Sequence, residues 1–336
     1  MKVLVTGATG FIGSQLCRAL AARGWSVRAF HRPDSKLDGL QGLDVEHAVG
    51  DVTDIESVER AVQGIEVVFH TAAKMGRSNK AQGMYTVTVE GTRNVLSAAL
   101  SAGVRRVVHT SSVAALGVPL EIPTSRAGNR PEILCMDEYH TWNFRPEWWR
   151  YGHAKYLAEI EVQKAVARGL DVVITNPTVV IGPGDLNRIS GNILIQVARG
   201  RVPVAVPGGL NIVHIEDVIR GHLLAFEHGK TGERYILGGE NLTHLRFLQI
   251  AASVTGARPP LFTVPAGVAR AVASAIDLTG RIGSFFPVGS ASLRRAGFFF
   301  YYNTRKAEQQ LGLQASHSVR QAVEDACRWF REHHMM

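Results

Sequence analysis

The sequence predicts an α/β fold, a doubly wound parallel sheet with a smaller C-terminal lobe. Three observations carry this. Short apolar runs alternate with helical stripes through the first half of the chain, the pattern of parallel strands joined by crossover helices. The first of those runs ends in a glycine-rich turn that opens a helix. Beyond about residue 180 the alternation stops and segments carrying Gly and Pro take over. With 336 residues, 46% hydrophobic and 20% charged, the chain can bury a large core and lacks the composition of a disordered one.

Read in order, KVLVT (2–6) is a buried strand, after which Ile12, Leu16, Ala19 and Leu20 form a helical stripe that stops at Gly24. Further strands are expected at 26–30, 45–49, 67–71, 105–110 and 171–175. The stretches 84–103 and 151–169 read as helices, each closing on glycine. This places the sheet domain at 1–178 plus about 211–238, and the smaller lobe at about 179–210 and 239–336. Irregular segments such as IGPGD (181–185) and VPGGL (206–210) lead us to expect a lobe without a second sheet domain. The run RRAGFFFYYNTRK (294–306) is too aromatic for idle exposure and is expected to pack on the lobe or edge a pocket.

Charge and cysteine usage narrow the partners. The net charge of +8 is spread without a run of five or six like charges, which argues for an anionic small molecule and against nucleic acid. Cys17, Cys135 and Cys327 lie far apart with no CxxC spacing, so no metal site is expected, and a reducing, cytoplasmic location fits. The N-terminus has an apolar run of only three residues before its first glycine, too short for a secretory leader. No stretch reaches the ~18 apolar residues of a membrane span. VPAGVARAVASAI (264–276), interrupted by Arg270, reads as a buried or amphipathic helix, with a membrane-surface role as the alternative.

TGATGFIG (6–13) follows the first strand, so Gly7, Gly10 and Gly13 stand where the chain must turn tightly and let a pyrophosphate approach the backbone. The helix N-terminus adds free N–H groups and partial positive charge. The sheet domain is therefore read as Rossmann-type and dinucleotide-binding. At the end of the second strand, the position for an acid that would hold the ribose of NAD is His31, 18 residues after Gly13. His31, Arg32 and Lys36 suit the extra phosphate of NADP, which is favoured; Asp34 keeps NAD possible.

YGHAK (151–155) puts Tyr151 and Lys155 four apart, on one helix face. A free phenol has a pKa of ~10, and lowering it by ~3 units takes about 4 kcal/mol of differential interaction. Lys155, helped by a positively charged nicotinamide, is the expected source. HTSSV (109–113) ends a strand at the ligand-binding edge of the sheet and offers Ser112 to hold a substrate oxygen.

These motifs, with GDVTD (50–54), HTAA (70–73), NPTVVIGPGD (176–185) and VHIEDV (213–218), resemble the extended short-chain dehydrogenase/reductases over nearly the whole chain. The resemblance implies a catalytic triad of Ser112, Tyr151 and Lys155. It further implies that Asp51 and Val52 contact the adenine, that Ala72 and Ala73 line the cofactor and that Pro177 lies near the nicotinamide. Thr9, Phe11, Ile12, Thr71, Lys74, Ser111, Val179 and Val180 complete the implied cofactor-binding set. Two positions depart from the family pattern: Thr88 replaces the usual asparagine of the proton relay, and Ala154 the serine of YxxSK.

Within that family the segment PTVVIGP and VRAFHR are similar to the dihydroflavonol reductase and aldehyde reductase branch, whereas GERYILGGENLT and GLNIVHIEDV resemble hopanoid-associated sugar epimerases. Leu210 and Val179 stand where nucleotide-sugar enzymes carry an arginine and an asparagine. Three functions stay open: a carbonyl reductase or alcohol dehydrogenase on an apolar or aromatic substrate, an NAD-retaining sugar epimerase or dehydratase, and a redox-sensing dinucleotide-binding protein without turnover. Trp142, Phe144, Trp148 and Trp149 are candidates for a pocket wall or a core cluster. A homodimer is the assembly that the resemblance implies.

Overall fold

A computed structural model describes residues 1–75, 83–120, 134–279 and 293–336. In chain order the first half runs β1 (Lys2–Thr6), α1 (Phe11–Ala22), β2 (Ser26–His31), β3 (Glu46–Val49), α2 (Ile55–Val62), β4 (Val67–His70), α3 (Gly91–Ser101), β5 (Arg106–Thr110), α4 (Arg150–Ala167) and β6 (Val172–Pro177). The second half runs β7 (Val179–Ile181), α5 (Asn192–Ala198), β8 (Val204–Ala205), β9 (Gly209–His214), α6 (Ile215–His228), β10 (Arg234–Leu237), β11 (Glu240–Thr243), α7 (His244–Thr255), β12 (Phe262–Thr263), α8 (Ala266–Thr279), α9 (Arg305–Leu311) and α10 (Val319–Glu332).

Seven parallel strands form one sheet in the order β10-β6-β5-β4-β1-β2-β3. Its inner strands are buried on both faces because helices cover both, whereas the edge strand β3 is largely exposed. Val3 and Val5 face α1, α6 and α9 through Leu16, Leu20, Val218 and Leu311, while Leu4 between them faces the opposite layer. That layer is Val58 and Val62 of α2, Val95 and Ala99 of α3, and Val162 and Ala165 of α4. The strand order reverses between β1 and β4, where the connections leave to opposite faces and open a crevice at the carboxyl ends of the strands.

All six strands expected from the sequence form. A seventh, β10, is not among them: its four residues between α6 and the glycines 238–239 are too short a run to show a strand pattern.

Beyond residue 180 the structure corrects the expectation of irregular segments: β7, β9 and β11 make a three-stranded sheet, and β8 and β12 pair separately. These strands are two to six residues long and interleaved with Gly and Pro, so period-two patterning has no room to show. Phe247 of α7, Ile195 of α5 and Phe330 of α10 cover them. A capping box between Ser318 and Gln321 starts α10.

Segment 294–306 does pack here: Phe299 bridges to Gly209 and Tyr302 to Met136. The helix α8 is amphipathic as expected, with Ala269, Ala273 and Ile276 inward and Val268 and Arg270 outward. Among the described residues no helix is long and apolar enough to cross a membrane.

Candidate active site

The glycine turn after β1 is closed on every side by backbone. Gly7 has φ +68, and a Cβ on it would lie 2.8 Å from the backbone of Ala72. At Gly13 a Cβ would fall 2.2 Å from Gly7 O, so α1 can approach the turn only without a side chain there. Gly10 donates to Gly7 O (2.9 Å) and caps α1 with no side chain, and the first turn of α1 holds no acid. The first N–H groups of α1 are therefore left for an anion, which is the fit a dinucleotide pyrophosphate requires. Thr9 and Ile12 flank the turn half-buried, and Phe11 is buried beneath it.

The neighbouring strand ends complete the crevice. After β4, Thr71 Oγ1 donates to Thr6 O (2.7 Å) and Ala72 N to Thr6 Oγ1 (3.4 Å), fixing the Ala72–Ala73 segment against the turn. Lys74 N donates to Thr88 Oγ1 (3.2 Å), so Thr88, within a π-helical turn that leads into α3, serves backbone at the position of the family's relay asparagine. Asp51 Oδ1 accepts from Thr53 N and Oγ1 (2.9 Å each), and Val52 packs its side chain where a Cβ on Gly91 would intrude.

At the end of β2, His31 is buried and its Nε2 meets His47 Nδ1 (3.1 Å). Arg32 and Lys36 are exposed, and Arg32 pairs with Asp34 at 3.4 Å.

On the other side of the crevice, β5 delivers Ser111 and Ser112. Ser112 Oγ caps the 3₁₀ turn Val113–Leu116 by accepting from Ala114 N (3.2 Å) and shares a hydrogen bond with the Tyr151 side chain. The glycine of YGHAK permits this meeting: a Cβ on Gly152 would lie 2.7 Å from Ala114 O and from the Trp142 ring. Lys155 is 3% exposed and donates to Thr110 O (2.8 Å). Ala154, also buried, fills the usual serine position with no polar group.

Burial dominates the charge states of the site. Burial pushes the Tyr151 phenol above its ordinary value, with the Ser112 hydrogen bond pulling the other way. With the protein residues alone, burial therefore favours the protonated phenol. Burial also lowers the Lys155 ammonium to about 8, opposed by Glu159. His70 is driven to about 3 by burial while bonding Thr6 and Thr92; it is a neutral core group.

Pro177 ends β6 beside β10; Val179 is partly exposed and Val180 buried in β7. Trp142 and Trp149 pair with rings 6.1 Å apart, and Trp149 meets Phe300 at 5.6 Å. Phe144 meets Trp148 and Phe298. Three residues escaped the sequence reading. Glu159 accepts from Ser111 Oγ (2.5 Å) and Asn176 Nδ2 (2.7 Å). Arg295 lies 4.3 Å over the Trp149 ring; its NH1 is buried with no hydrogen-bond partner, and burial lowers its pKa to about 10. Glu159 was reachable by the same four-residue spacing that marked Lys155; Asn176 and Arg295 carried no local signal.

Away from the crevice, His214, Glu216 and His317 gather possible ligand atoms within 4.8 Å. The two imidazoles are stacked, with centroids 4.2 Å apart and planes 20° from parallel. Each ring can ligate only in its own plane, so their lone pairs do not converge on one ion. His214 Nδ1 already accepts from Glu216 N (3.1 Å), capping α6.

Residues 3–238 match the model of the NAD dependent epimerase/dehydratase family. A Synechocystis sp. protein named after dihydroflavonol 4-reductase is 37% identical, covering 98% of this chain and 94% of its own. Sterol demethylase protein B of Methylococcus capsulatus is 37% identical over 100% of both chains. The crystal structure of gox2253 is similar with TM-score 0.84 and 35% identity over 99% of each chain.

Proposed function

Since this chain belongs to the NAD dependent epimerase/dehydratase family, we propose that it is a carbonyl reductase or alcohol dehydrogenase that favours NADP(H) and acts on an apolar or aromatic ketone or aldehyde. The observation that carries this reading is Tyr151, half-buried and hydrogen-bonded to Ser112 at the carboxyl edge of the sheet that also carries the glycine turn. Relatives named for reductases, including cinnamoyl-CoA reductase 2 of Medicago truncatula, support the reaction class.

Gly7, Gly10, Gly13 and the start of α1 would hold the pyrophosphate, with Ala72 and Ala73 along the crevice. When bound, the dinucleotide supplies hydride donor and acceptor chemistry. Ser112 holds the substrate oxygen and Tyr151 gives it a proton as charge develops, a role that a phenol kept protonated by burial is ready to fill. The buried Lys155 charge steadies the phenolate left behind, and Thr110 O fixes its position. Apolar Val179 and Leu210, at the two positions where nucleotide-sugar enzymes carry polar groups, support a substrate without a sugar diphosphate.

The test is loss of reduced-nicotinamide absorbance when NADPH is mixed with a panel of apolar and aromatic aldehydes and ketones. Conversion of a nucleotide sugar with no added cofactor and no net absorbance change would establish the epimerase reading instead.

Arg295 favours a substrate that also carries an anionic group, because a guanidinium over Trp149 with NH1 buried and without a hydrogen-bond partner gains most from an oxyanion. Arg295→Met is expected to raise KM for carboxylated substrates by about tenfold or more, with neutral aldehydes unaffected; equal effects on both would remove this assignment.

The Arg32–Asp34 pair is exposed on both sides, so little holds Arg32 from a 2′-phosphate. Arg32→Ala is expected to weaken NADPH binding by about 10- to 100-fold, the range for a lost hydrogen bond to a charged group, while leaving NADH unchanged by calorimetry.

A further inference from the structure

Behind the Tyr151–Ser112 pair lies a second, wholly buried polar group of contacts. Glu159 is one turn beyond Lys155 on α4, and both side chains are 3% exposed. One carboxylate oxygen, Oε1, receives Ser111 Oγ at 2.5 Å and Asn176 Nδ2 at 2.7 Å. The same Asn176 nitrogen donates to Ser112 O at 3.0 Å. The other oxygen, Oε2, is buried without a hydrogen bond and faces Arg234 NH1 at 3.5 Å. Four elements therefore meet at one side chain: α4, the end of β5, β6 and β10. Two donors on a single oxygen, with a guanidinium beyond, suit an ionised carboxylate.

We infer that Glu159 is a positioning residue that ties the strand end bearing Ser112 to the helix bearing Tyr151 and Lys155, and supplies the negative charge that balances the Lys155 ammonium. Its catalytic consequence rests on the reading proposed above; its electrostatic effect on Lys155 does not. Among the described residues, few titratable groups act on Lys155. From β4 comes His70 and from β5 His109, both buried and held neutral by that burial. Tyr151 is protonated, and Arg234 from β10 sits on the far side of the carboxylate. Glu159 is the one acidic group among them. Without it, a buried ammonium would keep the Thr110 carbonyl as its one hydrogen-bond partner among the described residues, and desolvation would favour the neutral amine.

Glu159→Gln preserves shape and an acceptor oxygen while removing charge. With lysine labelled at 13Cε and the Lys155 resonance identified by its loss in Lys155→Met, the Lys155 titration of the variant is expected about one pH unit or more below wild type, a tenfold change in acidity. The alkaline limb of kcat/KM is expected to move by the same amount, with the low-pH plateau within about threefold of wild type. Glu159→Asp, which keeps the charge, is expected to restore most of both shifts. Identical Lys155 titrations in wild type and Glu159→Gln would overturn the inference, whatever substrate the enzyme turns over. Should Glu159→Gln fail to fold, Arg234→Met serves: stripping the competing cation from Glu159 is expected to raise the Lys155 titration, and no movement overturns the inference equally.

Discussion

Replacing Tyr151 by phenylalanine is expected to lower kcat by about 10²- to 10⁴-fold, the range for removing a positioned proton donor. Dinucleotide affinity is expected to stay within about threefold of wild type, because the glycine turn and the α1 N-terminus do not involve the phenol. The phenylalanine ring fills the same space beside Gly152, so Ser112 loses one side-chain partner and keeps its cap on Ala114 N. The pH profile separates the roles of the two partners. Wild-type kcat/KM is expected to fall as pH rises through about 8, where Lys155 gives up its proton in the free enzyme. No acid limb is expected from His70, whose titration burial has moved to about 3. Turnover by Tyr151→Phe within tenfold of wild type would remove the proposed mechanism while leaving the fold and the dinucleotide site standing.

What the sequence made legible was local. Tyr151 and Lys155 share a helix face by spacing alone, Ser112 ends a strand, and the glycines of TGATGFIG lie between a recognisable strand and helix. Each signal sits within a window of a dozen residues, and the structure brings all of them to one crevice. The packing around Tyr151, which raises its pKa in the protein alone, was not legible. Ala114 of the 3₁₀ turn and the Trp142 ring come close to Gly152, next to Tyr151, through packing that no spacing encodes. The Glu159 contacts were hidden for a similar reason. Ser111, Asn176 and Arg234 come from three strands and meet only after the sheet has formed. The missed strands β7, β9 and β11 show the same limit at the level of the fold, since tertiary pairing defines them more than pattern does.

Gly13→Val is expected to weaken NADPH binding by about 10- to 100-fold, as one charge-assisted hydrogen bond is lost, and to lower the melting temperature as well. The Cβ would meet Gly7 O at 2.2 Å and Thr71 Oγ1 at 2.9 Å. Neither can retreat freely: Gly7 is held with φ +68 against Ala72, and Thr71 Oγ1 is bonded to Thr6 O at 2.7 Å. The start of α1 must therefore shift outward, carrying the N–H groups away from the turn, at a strain of about 1–3 kcal/mol. Gly267→Ala supplies the contrast, because a Cβ there meets nothing within 4 Å in α8. That substitution is expected to leave cofactor affinity unchanged and to stabilise the chain by about 0.4–1 kcal/mol, through reduced freedom of the unfolded state. Both are checked by calorimetric titration with NADPH and by thermal melts. If Gly13→Val binds NADPH as wild type does, the α1 N-terminus is not the phosphate site, and the dinucleotide assignment loses its physical basis.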